Sequence, residues 1–227
     1  MRCPSTRRTA ADDARVSELH DIVVGLFRRG AVPDLPYHNL RHTLEVHDTA
    51  LKLAEQYLNT GELSVEQVSL LRIAALFHDT GFANRGRYAN NEPVGATNAS
   101  RIMARMDYNA AERDTVKRLI RATAMPQRPT NVLERILCDA DLGYLGAPGF
   151  LKVLDGLRRE WEDIGRIYAE RRWLDLNIIF LRAHRYHTAA AREAFDKAKV
   201  ENLGILEMLK RELGSRERIQ DAFTRLQ

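Results

Sequence analysis

Ser64-Val65-Glu66-Gln67-Val68-Ser69-Leu70-Leu71-Arg72-Ile73-Ala74-Ala75-Leu76-Phe77-His78-Asp79-Thr80-Gly81 decides how the rest of this 227-residue chain is read. Ser64, with Gln67 three positions on, has the pattern of a capping box, and the run to Phe77 is apolar on nearly every side. A helix buried all round is expected. Thr80-Gly81 breaks the pattern and leaves His78 and Asp79 at the C-terminal end of that helix, where core meets cavity. A charged pair directly after an apolar helix is costly to leave unpartnered. Neighbours on a helix point about 100° apart, so the two can share one ion only if it lies over the helix between their directions.

Outward from this segment the apolar residues keep a helical period. Residues 11–29 place Val16, Leu19, Ile22, Val23, Leu26 and Phe27 at helical spacing before Gly30, Pro33 and Pro36, and residues 40–58 do the same before Asn59-Thr60-Gly61. His42 falls in the first turn of the second helix. Residues 82–93 are rich in Asn, Gly and Arg and read as a polar loop. Helices are expected again over 94–107, 109–123, 132–145, 149–170, 174–185 and 188–213, with a short one to Leu226. No period-2 segment with paired turn signals, no repeat and no low-complexity linker stands out. The fold class is therefore all-α, in a single domain.

Composition fits a folded protein, with 44% hydrophobic and 29% charged residues. Cys3 and Cys138 do not make a disulfide framework, and no apolar segment follows the basic N-terminus, so a cytoplasmic location is expected. The net charge of +4, from 35 basic and 31 acidic residues, favours anionic ligands only mildly. The doublets Arg28-Arg29, Arg158-Arg159 and Arg171-Arg172 lack aromatic interleaving, so nucleic acid is not the expected partner. The expected partner is a small phosphorylated molecule, with no membrane; a homodimer is compatible with the composition.

Two further segments carry chemistry: Tyr37-His38-Asn39-Leu40-Arg41-His42 and Cys138-Asp139-Ala140-Asp141-Leu142. Two imidazoles and two carboxylates can bind a divalent first-row metal, and water on such a metal is acidified enough to attack phosphorus. Singly, a histidine such as His42 is more often a hydrogen-bonded structural residue, and an aspartate such as Asp141 a cap or ion-pair member. In order, however, the three segments resemble the HD phosphohydrolase superfamily over residues 37–142. The resemblance implies one HD-type domain over 1–227, a helical bundle with additional C-terminal helices at 149–227. It implies His42, His78, Asp79 and Asp141 as metal ligands, with Asp139 holding a ligand by hydrogen bond; Asp139 and Asp141 remain alternatives. The first segment is also similar to the motif of cyclic-nucleotide phosphodiesterases, which implies His38 as the acid that protonates the leaving group. Its plain alternative is a loop or capping histidine.

After Asp79 the next histidine is His184, and Asn90-Asn91-Glu92 stands where dinuclear members of the family would have one. A single divalent cation, Mn²⁺, Fe²⁺, Zn²⁺, Ni²⁺ or Mg²⁺, is therefore expected, and a second is doubtful. Glu92, with Gly95 after it, resembles an acidic position placed over the site, where it could orient water or act as base. Equally, it is an acidic residue favoured at a helix N-terminus. Arg41 and Arg87 are the first candidates to bind the substrate's phosphate, ahead of Arg85, Lys117, Arg121 and Arg128. His184 and His187 precede a long helix that Thr188 could cap, and their role stays open. The function expected is a metal-dependent phosphohydrolase acting on a phosphomonoester or phosphodiester, a nucleotide or related small phosphate. Asp79 would accept the water's proton. The alternatives are an HD-fold di-iron oxygenase and a non-catalytic nucleotide-sensing module.

Overall fold

The structure, a computed structural model, describes residues 10–33, 35–83 and 90–225. Among them are nine α-helices and no strand: α1 (Ala10–Arg28), α2 (Leu40–Asn59), α3 (Val65–Phe77), α4 (Asn91–Ala104), α5 (Ala110–Ala122), α6 (Val132–Asp141), α7 (Phe150–Asp163), α8 (Glu170–Ala183) and α9 (Ala189–Arg225). Single 3-10 turns lie at Thr80–Ala83 and Gly143–Gly146. None of the described helices is long and apolar enough to cross a membrane. The chain divides into two compact units, one of residues 1–143 with 187–191, the other of residues 144–186 with 192–227.

In the first unit α3 is the axis. Its capping box is formed in full: the Ser64 side chain accepts from Gln67 N, and the Gln67 side chain accepts from Ser64 N. Leu71, Ile73, Leu76 and Phe77 are fully buried, each contributing roughly 2 kcal/mol of apolar burial. Helices α1, α2, α4, α5 and α6 all pack against it, which explains a sequence apolar on every side. Asn39 starts α2 by accepting from His42 N at 3.1 Å, and its amide also donates to Leu35 O at 2.9 Å. The cap thus fixes the first turn that carries His42.

Where α4 meets the end of α3, peptide groups touch. A Cβ on Gly81 would lie 1.9 Å from Asn91 O, and one on Gly95 would lie 2.9 Å from Phe77 O and 3.0 Å from His78 O. Only glycine allows that approach.

In the second unit the rings of Trp161 on α7 and Trp173 on α8 meet edge to face at 5.5 Å. Arg182 and Asp175 of α8 pair with Glu207 and Lys210 of α9. Helix α7 ends earlier than its sequence pattern predicts, because Gly165 turns left-handed (φ 80°) and Arg166 N closes the end on Trp161 O at 2.8 Å. Helix α9 continues through Gly214 and Ser215, where the sequence suggests a break. Glycine in a helix costs about 1 kcal/mol against alanine without stopping it.

Candidate metal centre

His42 rises from the first turn of α2, His78 and Asp79 close α3, and Asp141 is the last residue of α6. His42 Nε2, His78 Nε2 and an Asp79 oxygen come within 4.8 Å of one another, all three residues buried. His42 Nε2 is 3.4 Å from His78 Nε2 and 3.4 Å from Asp79 Oδ2, and His78 Nε2 is 3.1 Å from Asp79 Oδ2. Asp141 Oδ1 lies 3.4 and 3.6 Å from the two imidazole nitrogens. The side chains of His78 and Asp79 therefore do meet, beyond the helix end.

Hydrogen bonds set the direction of each donor. His78 Nδ1 donates to Ala75 O at 2.7 Å, which leaves Nε2 as the nitrogen facing His42 and the carboxylates. Asn91 Nδ2 donates to Asp79 Oδ1 at 2.8 Å and to His78 O at 3.3 Å. Asp79 Oδ2, buried, faces the two imidazole nitrogens and no amide. Gln127 Nε2 donates to Asp141 Oδ2 at 3.3 Å, so each carboxylate has one oxygen held by an amide and the other beside the imidazoles.

The electrostatics agree with that geometry. Burial alone would push the His78 imidazole down, but the charge and hydrogen bond of Asp79, with Asp141 behind it, hold it up at about 9. Burial would raise the Asp79 carboxyl, yet His78 and then His38 and His42 keep it well below the usual range. Such a cluster needs a positive charge at its centre, whether proton or cation. Ligands about 2.1 Å from one ion, 90 to 109° apart, lie about 3.0 to 3.4 Å from each other, which is close to the spacing here. Two imidazoles and two carboxylates fit a divalent transition metal.

Around this core, His38 precedes the α2 cap. Its ring lies 4.4 Å from that of Phe82 and 5.9 Å from that of His42, while Tyr37 rests 4.4 Å from the His42 ring. Glu92 sits in the first turn of α4; burial, then the charges of Asp79 and Asp141, push its carboxyl up. Asp139 faces elsewhere. Its Oδ1 accepts from His187 N and its Oδ2 from Thr188 N, both at 2.8 Å, and the Thr188 hydroxyl in turn accepts from Ala191 N. Burial pushes the Asp139 carboxyl up, against those hydrogen bonds.

Arg41 is exposed and pairs with Glu45 one turn on, at 3.4 Å. Arg87 and Arg85 lie outside the described residues. His184 belongs to the second unit, where Lys199 Nζ reaches its Nδ1 at 3.3 Å and its carbonyl at 2.9 Å. Nothing in the sequence marks Asn91 or Gln127 as a partner of the carboxylates. Asparagine and glutamine carry no charge signal, and only the small residues Gly81 and Gly95 hint that α4 closes on the end of α3.

A family model, described as the HD domain, matches residues 39–142. By fold the chain is similar to a crystal structure described as a predicted HD superfamily hydrolase from an uncultured Thermotogales bacterium. The identity is 22% and the TM-score 0.51, over 88% of this chain and 91% of that one. No curated protein matches the chain.

Proposed function

We propose, from the match of residues 39–142 to the HD-domain family model, that the chain is a metal-dependent phosphohydrolase of the HD family acting on a phosphomonoester or phosphodiester. The observation that carries the reading is the convergence of His42 Nε2, His78 Nε2, Asp79 Oδ2 and Asp141 Oδ1, at 3.1 to 3.6 Å across the pairs measured. A divalent ion held by these four groups would lower the pKa of a water molecule and polarise a phosphoryl oxygen.

The remaining work falls to the chain's own side chains. The depressed Asp79 carboxyl is a poor proton acceptor and a good anionic ligand, so Glu92, with its carboxyl pushed up, is the better base for the attacking water. His38, ring against Phe82, serves as the acid that protonates the leaving oxygen. Arg41 and Arg87 are the guanidinium groups for the substrate's phosphate. Nucleotides and related small phosphates are the substrate class. A complete donor set argues against a module that only senses nucleotides, since such a module would be expected to have lost a ligand.

The test is a screen of mono-, cyclic and polyphosphate nucleotides with Mn²⁺, Co²⁺, Ni²⁺ and Mg²⁺. Phosphate release that disappears, together with bound metal, in His78→Ala and Asp79→Ala is the expected result. Hydrolysis unchanged in both variants would place the site elsewhere, and turnover that requires O₂ and two irons would favour the oxygenase.

A further inference from the structure

We propose that Asn91 limits the centre to a single divalent ion by occupying the oxygen of Asp79 that a second ion would need. The proposal rests on the metal reading above and adds a number to it. Two metals close together are usually joined by a carboxylate that gives one oxygen to each. Asp79 Oδ2 lies beside both imidazoles, so only Oδ1 could reach a neighbouring ion. That oxygen instead accepts the Asn91 amide at 2.8 Å.

The amide cannot turn to become a ligand. Its nitrogen faces two acceptors, Asp79 Oδ1 and His78 O, so reversing it would set an oxygen against two oxygens. Asn91 is also buried, and its backbone is held close at the start of α4, where its carbonyl lies 1.9 Å from the place a Gly81 Cβ would take. The second carboxylate is held in the same manner, Asp141 Oδ2 accepting from Gln127. Both outer oxygens of the ligand set are therefore bonded to amide N–H groups, which repel a cation.

The experiment is a Mn²⁺ titration of the metal-stripped whole chain, followed by calorimetry and electron paramagnetic resonance. The wild type should take up one ion per chain with the spectrum of an isolated Mn²⁺. Asn91→Asp, which frees Asp79 Oδ1 and adds a carboxylate beside it, should bind a second ion and show spin coupling. If that variant does not fold, Asn91→Ser removes the amide without adding charge and should show a second, weaker Mn²⁺. A folded variant still limited to one ion would overturn the role given to Asn91. Two coupled ions in the wild type would overturn the proposal while leaving the metal reading intact. No Mn²⁺ bound by the wild type would overturn the metal reading itself, and the proposal with it.

Discussion

Asp139 and Thr188 stand 49 residues apart in sequence and 2.8 Å apart in space, Oδ2 of the one accepting the backbone N–H of the other. With His187 N on the second oxygen, a fully buried carboxylate satisfies two donors at the approach to α9, just before the Thr188 hydroxyl caps Ala191 N. Asp139→Ala should cost about 3 kcal/mol, since it leaves one buried and one part-buried N–H group without their charged acceptor. Urea unfolding reads this directly. Mn²⁺ uptake per folded chain should stay at the wild-type value, and its loss would mean that Asp139 acts on the centre itself.

Asn39→Ala should lower stability by about 1 kcal/mol through loss of the α2 cap that holds His42 N. The change in thermal midpoint should be accompanied by weaker Mn²⁺ binding, because the first turn it frays carries the proposed ligand His42. A variant with lowered stability and unaltered affinity would show that packing alone places His42.

Gly81→Ala should destabilise the protein by about 3 kcal/mol or more, because the new methyl would land on the Asn91 carbonyl, backbone that cannot swing aside as a side chain can. Far-ultraviolet circular dichroism during heating is sufficient. A melting curve like that of the wild type would contradict the close approach.

Metal uptake should depend on pH with a definite sign. The His78 imidazole, at about 9 in the metal-free fold against 6.5 for a free one, keeps its proton at neutral pH. Its contribution to the stability of the metal-free protein is then fully present below pH 6.5 and is lost as pH rises through about 9. Binding of a cation expels that proton, so affinity should climb about tenfold per pH unit across this window and level off above it. Calorimetry in two buffers of different ionisation enthalpy at pH 7.5 should show about one proton released per ion. Uptake without proton release would mean that His78 is already neutral.

Gln127→Leu should weaken Mn²⁺ binding about tenfold without unfolding the chain, since it removes the 3.3 Å hydrogen bond to Asp141 Oδ2 from a half-buried position. Isothermal titration distinguishes this from an unchanged constant, which would make the bond incidental.

Local chemistry was readable wherever it acts over a turn or less. The Ser64–Gln67 box, the α2 start before His42 and the stop at Thr80-Gly81 all follow from neighbours in sequence, and the ordered His and Asp segments carried the family resemblance. What escaped was tertiary. The Asn91 amide reaches Asp79 across 12 positions and Gln127 reaches Asp141 across 14, and no periodicity marks an uncharged side chain as the partner of a distant carboxylate. Asp139 could be sensed as a hydrogen-bonding residue, but not that its partners were two peptide N–H groups at 187 and 188. The end of α7 at Gly165 departs from the sequence pattern for a different reason: the apolar period continues past a glycine whose left-handed conformation only the fold reveals.

The proposed ligand set draws on positions 42, 78, 79 and 141, so it does not exist until segments about a hundred residues apart have met. An ion that binds only the assembled set stabilises the folded chain by mass action, by about 2.7 kcal/mol at a hundred times its dissociation constant. A cation would therefore shift the unfolding equilibrium by an amount set by its free concentration, and a chelator would undo it. No short peptide cut from either end of that span can stand in for the whole.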